Sequence, residues 1–146
     1  MALLSNLNYN TSDLLAFAKA ELGSICTKTY LSNPPKAIPN GLNDFMVISL
    51  GSGISDRGDY GNVMLQVDIF VKMRQNGERD NSKMSALQKS LFDTISAYSR
   101  EETCSYIMTT NSNNLCFDDF DADSGFHVSI NYISIIIIQP TIPITE

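Results

Sequence analysis

The sequence predicts an α+β fold: two helices packed on a mainly antiparallel sheet, in the order α-β-β-α-β-(β)-β. Three observations predict it. Two segments carry apolar residues at helical spacing along one side only, the pattern of a helix lying on a sheet. Two long segments, 60–74 and 126–138, alternate with the period of two that a strand requires. Finally, the strand-like segments on both sides of the second helix need each other to complete one sheet. A chain of 146 residues is the length of one domain and buries roughly two-thirds of its unfolded surface. We read 1–138 as that single domain and 139–146 as an extended C-terminal arm.

The first helix opens at Asn10-Thr11-Ser12-Asp13, which supplies capping side chains and an acid for the first turn. Leu14, Phe17, Ala18 and Leu22 follow at helical spacing, and Gly23 offers a stop. The connector Asn33 to Gly41 is stiffened by Pro34, Pro35 and Pro39. Phe45 to Leu50 is a short apolar strand ended by Gly51-Ser52-Gly53. From Tyr60 to Arg74, Val63, Leu65, Val67, Ile69, Val71 and Met73 face one way, and Met64, Gln66, Asp68, Phe70, Lys72 and Arg74 the other. The second helix starts near Asn81-Ser82 and aligns Met84, Leu87, Leu91, Ile95 and Tyr98 on one stripe. Two weaker strands, Ser105 to Thr110 and Leu115 to Phe120, are joined by the turn-rich Asn111-Ser112-Asn113-Asn114. In the last strand Phe126, Val128, Ile130 and Tyr132 alternate with His127, Ser129 and Asn131, after which Ile133 and Ile135 to Ile138 are apolar on both faces. The expected core under the second helix is Val67, Ile69, Leu87, Leu91, Ile95, Val128 and Ile130.

Composition narrows the function. Ten basic against sixteen acidic residues give a net charge of -6, which argues against gripping a nucleic-acid backbone, since that requires clustered Lys and Arg. The longest apolar run, Ile135 to Ile138, is far too short to cross a bilayer, and Met1 to Asn6 lack the basic flank and apolar core of a signal peptide. A soluble chain without membrane contact is the expectation. Cys26, Cys104 and Cys116 form no C-x-x-C pair and leave one over if two were bridged, which fits a reducing compartment. Charged residues make up only 18% of the chain, so part of the surface is a candidate for cover by partners.

Chemistry-bearing patterns are few. In Asp118-Asp119-Phe120-Asp121-Ala122-Asp123-Ser124-Gly125 the carboxylates of Asp119, Asp121 and Asp123 alternate like the opening of a calcium loop. Glycine then falls one place late, and Ile130 stands where the bidentate Glu belongs. A solvated acidic turn is the simpler reading. His127, the sole histidine, reads as a half-exposed strand residue with no partner that spacing identifies. Gly51-Ser52-Gly53 is too short to cradle a phosphate and precedes no helix. We therefore assign no catalytic residue, no metal and no cofactor, and expect a protein that is not an enzyme.

Two segments read instead as contact elements. Gly51 to Gly61 joins two strands with four glycines, too long for a tight hairpin turn, and offers Arg57, Asp59 and Tyr60 as a charge pair and an aromatic anchor. In Gln139 to Glu146 two prolines favour an extended chain, and Ile142 and Ile144 keep two apolar side chains free to dock on a neighbour.

With helix Leu14 to Leu22, strands Phe45 to Leu50 and Tyr60 to Arg74, helix Ser82 to Tyr98 and closing strand Phe126 to Ile138, the chain resembles the tail terminator and tail-completion (head–tail joining, neck) proteins of tailed bacteriophages. The resemblance rests on element order and length over nearly the whole chain. It implies a virion structural protein, made in the host cytoplasm, that forms a homo-oligomeric ring, commonly a hexamer, at the junction of head and tail. The ring would end the tail tube, contact neighbouring tail-tube and neck or connector proteins, and let DNA pass without sequence-specific binding. The Pro-rich connector and the acidic hairpin around Asp118 to Asp123 depart from the family's pattern. The alternative is a small metal- or ligand-binding regulatory module using the acidic turn 118–123, and a third reading is a minor hydrolase centred on His127.

Overall fold

The computed structural model describes residues 11–53, 55–56, 60–96, 105–110, 117–121 and 125–138. In chain order the elements are α1 (Thr11–Leu22), β1 (Thr29–Leu31), β2 (Asp44–Leu50), β3 (Ser55–Asp56), β4 (Tyr60–Lys72), α2 (Asn81–Ser96), β5 (Ser105–Thr110), β6 (Phe117–Asp121) and β7 (Phe126–Ile138). All the strands belong to one sheet in the order β1-β2-β4-β7-β5, with only β1 and β2 parallel. The predicted α+β class and its helix-strand order hold.

The centre of the sheet is the ladder between β4 and β7, two thirteen-residue strands paired end to end from Tyr60↔Ile138 to Lys72↔Phe126. Each has an interrupted strand on its outer side. Along β4, β2 pairs as far as Leu50↔Leu65, and β3 resumes at Ser55↔Asn62. In between, Gly51 N–H donates to the Met64 carbonyl at 2.6 Å, and Met64 N–H donates to Ser52 Oγ at 2.9 Å. Much of the segment expected to be one long loop, Gly51 to Gly61, is thus a bulged continuation of the hairpin. Backbone groups need partners, and a bulge meets that need while lengthening one strand. Along β7, β5 pairs with Ile133 to Ile138 and β6 with Phe126 to Ile130. Both therefore lie on the same edge of β7, instead of forming a hairpin with each other.

The two faces of the sheet differ. On one, Met46 and Ile48 of β2, Val63 to Val71 of β4 at every second position, and Ile133, Ile135 and Ile137 of β7 form a fully buried floor. Leu14, Leu15, Ala18 and Leu22 of α1 and Met84, Leu91 and Ile95 of α2 cover it, with Leu87 half-buried at its margin. Helix α1 stops at Gly23, whose N–H donates to Lys19 O at 2.8 Å. A Cβ there would collide with that carbonyl, so the site needs glycine. Helix α2 starts at Asn81, as expected, and is capped by the residue before it: Asp80 Oδ1 accepts from Lys83 N–H at 3.2 Å.

On the opposite face lies a smaller cluster. Phe45 stacks on Phe70 at 4.5 Å between ring centres and meets Phe126 and Tyr30 edge-on. Ile38 of the Pro-rich connector and Leu42 just after it pack against it, so the end of that connector is a lid on an aromatic cluster. Farther along this face Met64, Gln66, Asp68, Ile130, Tyr132, Ser134 and Ile136 are half-buried, and both described helices lie on the other side, so among the described residues this face is helix-free.

Val128 and Ile130, expected beneath α2, belong to this helix-free face. The register explains why. Thirteen unbroken pairs fix one parity along all of β7, and a shift by one residue would turn every side chain to the other face. Placing Ile133, Ile135 and Ile137 opposite Leu65, Val63 and Gly61 forces His127, Ser129 and Asn131 under the helices. Val128 and Ile130 then point away.

Candidate functional site: a polar floor and a cleft beside α2

That parity makes a stripe of polar groups inside the core. His127 and Ser129 are fully buried and Asn131 is 1% exposed, so the expectation of a half-exposed histidine is wrong. Gln88 of α2 reaches down and donates from Nε2 to Ser129 Oγ at 2.7 Å. Asn131 Nδ2 donates to Val67 O at 3.1 Å and to Ser129 Oγ at 2.9 Å. Its Oδ1 accepts no hydrogen bond among the described residues. Buried amides and hydroxyls destabilise unless they are paired, and here the stripe is stitched to α2 and to β4.

A partly buried ion pair closes the end of this stripe. Asp44 opens β2 and lies in the same row as Val71 and His127. Lys83 Nζ sits 2.9 Å from Asp44 Oδ2, and Thr27 N–H donates to Oδ1 at 2.6 Å. Burial alone would push this carboxyl up. The Thr27 N–H and the Lys83 ammonium outweigh it and hold Asp44 below its usual value. Next to the pair, burial and the Asp44 charge push the Cys26 thiol up to about 12, although Lys83 works against them. A thiol so protonated is neither a nucleophile nor a ready metal ligand.

Lys83 also lines a surface cleft of about 340 Å3 with Asn43, Lys72, Met73, Arg74, Gln75 and Asp80. Arg74 reaches Asp80 at 3.5 Å. The turn that carries Arg74 is closed by Gly77 N–H on Arg74 O at 2.8 Å, with Gly77 at a φ of +82°. None of these residues stands out in the sequence, because the cleft gathers them from the start of β2, the end of β4 and the start of α2. The one legible hint is Asp80 placed just before Asn81-Ser82, a cap signal.

Other sequence candidates fall elsewhere. Asp119 and Asp121 lie in β6, paired with Val128 and Phe126. Their backbone is extended, whereas a calcium loop must be compact; Asp123 lies outside the described residues. Among the described residues no group of three or more His, Cys, Asp or Glu comes together to hold a metal. Tyr60 opens β4 opposite Ile138. Arg57, Asp59, Ile142, Ile144 and the rest of the 139–146 arm lie outside the described residues, as do Cys104, Cys116 and Tyr98.

On the helix-free face, Asp68 is half-buried between Val47 and Ile130 in the register. Burial pushes its carboxyl up, and the Gln66 amide, donating at 3.0 and 3.1 Å, offsets part of that. No described helix is long and apolar enough to cross a membrane. No known protein family model and no curated protein sequence matches this chain.

Proposed function

We propose that the chain is a structural subunit of a tailed-bacteriophage virion: a tail terminator or neck protein that forms a ring at the head–tail junction. Such a ring ends the tail tube, binds tail-tube and connector proteins above and below, and lets DNA pass through its centre. The observation that carries the reading is the helix-free sheet face, where Met64, Ile130, Tyr132 and Ile136 stay half-buried beside the polar Gln66, Asp68 and Ser134. A mixed apolar and polar surface of this kind suits contact with a neighbouring subunit. The order of elements supports it, since a helix, a long hairpin, a second helix and closing antiparallel strands match the expected pattern. A net charge of -6 fits a channel that does not grip DNA.

The face is testable apart from the fold. Ile136→Lys places a charge on it while the lysine stem can still lie along apolar neighbours. The variant should melt within about 1 kcal/mol of the parent in stability, yet native mass spectrometry should find its assembly weakened or lost. Full-sized assembly in this variant would remove the helix-free face from the contact.

A further inference from the structure

We infer that α2 is a two-part element whose first half, Asn81 to Gln88, opens from the sheet independently of its second half. The two halves share one apolar core but are fastened to the sheet differently. Leu91 and Ile95 are buried at 0% and 1% in the apolar core shared with Ile133, Ile135 and Ile137. The first half reaches that core with Met84 and adds polar fastenings, among them Lys83 on Asp44 at 2.9 Å and Gln88 on Ser129 at 2.7 Å. Leu87, its other apolar contact, is only half-buried.

Polar fastenings differ from apolar ones in what replaces them. When the first half lifts, water takes over the bonds to Lys83, Asp44, Gln88 and Ser129, so beyond the exposure of Met84 the loss is modest. Lifting Leu91 and Ile95 would expose apolar surface that water cannot compensate. Local opening follows such differences in a structure's fastening. Asn131 Oδ1, buried without a described partner, gains a hydrogen bond on opening. The opened form joins the floor of His127, Ser129 and Asn131 to the cleft that Lys83 already lines. It makes a polar pocket that the closed form hides.

Amide-resolved hydrogen exchange of the full chain tests this. Amides 85–88 report the first half and amides 92–95 the second, because each bonds to a carbonyl four residues back. In the parent, 85–88 should exchange faster than 92–95. Gln88→Ala leaves the sheet untouched and should speed exchange at 85–87 by about tenfold, the factor expected of one hydrogen bond, with 92–95 unchanged. Asp44→Asn keeps the acceptor for Thr27 N–H and should act in the same direction. Equal protection in the two halves, or an equal acceleration of both in either variant, would show that α2 moves as one body and overturn the inference.

Discussion

Leu91→Ala is expected to lower the free energy of unfolding by about 2–5 kcal/mol. Leu91 is fully buried at the centre of the helix-covered face, with Ile95 one turn beyond it and the isoleucines of β7 in the same core. Its truncation removes transfer free energy and leaves a cavity in a floor of fixed strands. A thirteen-residue ladder between β4 and β7 gives that floor little freedom to close the gap. Denaturant titration followed by far-UV circular dichroism measures the change. A loss below about 1 kcal/mol would mean that α2 presents another face to the sheet.

The second large effect is expected at Asp44. Asp44→Ala removes the acceptor of Thr27 N–H and the counter-charge of Lys83 in one step. A charge-assisted hydrogen bond contributes about 1.5–3 kcal/mol, and the one-third exposure of the Lys83 side chain, 35%, screens the ionic part. A loss of about 2–3 kcal/mol is the expected result on these grounds. The pH dependence has a definite sign. The Asp44 carboxyl is held below its ordinary value of 3.8 in the folded state. Its contribution is therefore fully present above that value and disappears as pH falls through the lower, folded pKa. Asp68 acts in the opposite sense, because its carboxyl is raised in the folded state and its ionisation destabilises the fold above that pKa. The informative quantity is the difference between parent and Asp44→Ala, which should be large at neutral pH and shrink below pH 3.8. A difference that stays constant down to the acid transition would mean that the ion pair carries none of it.

The fold was legible where chemistry and parity agree. In β4 every second residue from Val63 to Val71 is apolar, and those residues are the buried ones. In β7 the alternation misleads, because Val128 and Ile130 look like core residues and His127, Ser129 and Asn131 look like surface. The isoleucines at 133, 135 and 137 decide the parity, and Ile136 and Ile138, equally apolar, hide that choice from a reader of the sequence. The strands β1 and β3, three and two residues long, carry too few side chains to show a period. The hairpin bulge at Gly51 to Gly53 looks like loop in the sequence because glycine marks both. The cleft was invisible for another reason: its residues meet only once β2, β4 and α2 are in place. The connector's role was hidden as well, since Ile38 and Leu42 gain meaning only against Phe45 and Phe126.

The proposed role makes assembly its central claim, and the particles themselves test it most directly. Negative-stain electron microscopy of the purified full chain, paired with native mass spectrometry across a range of concentrations, is the measurement. The account predicts closed rings with a central opening and a mass that is a fixed multiple of the single chain, six being the expected number. Single-chain mass at every concentration, with no ring in the images, would contradict it.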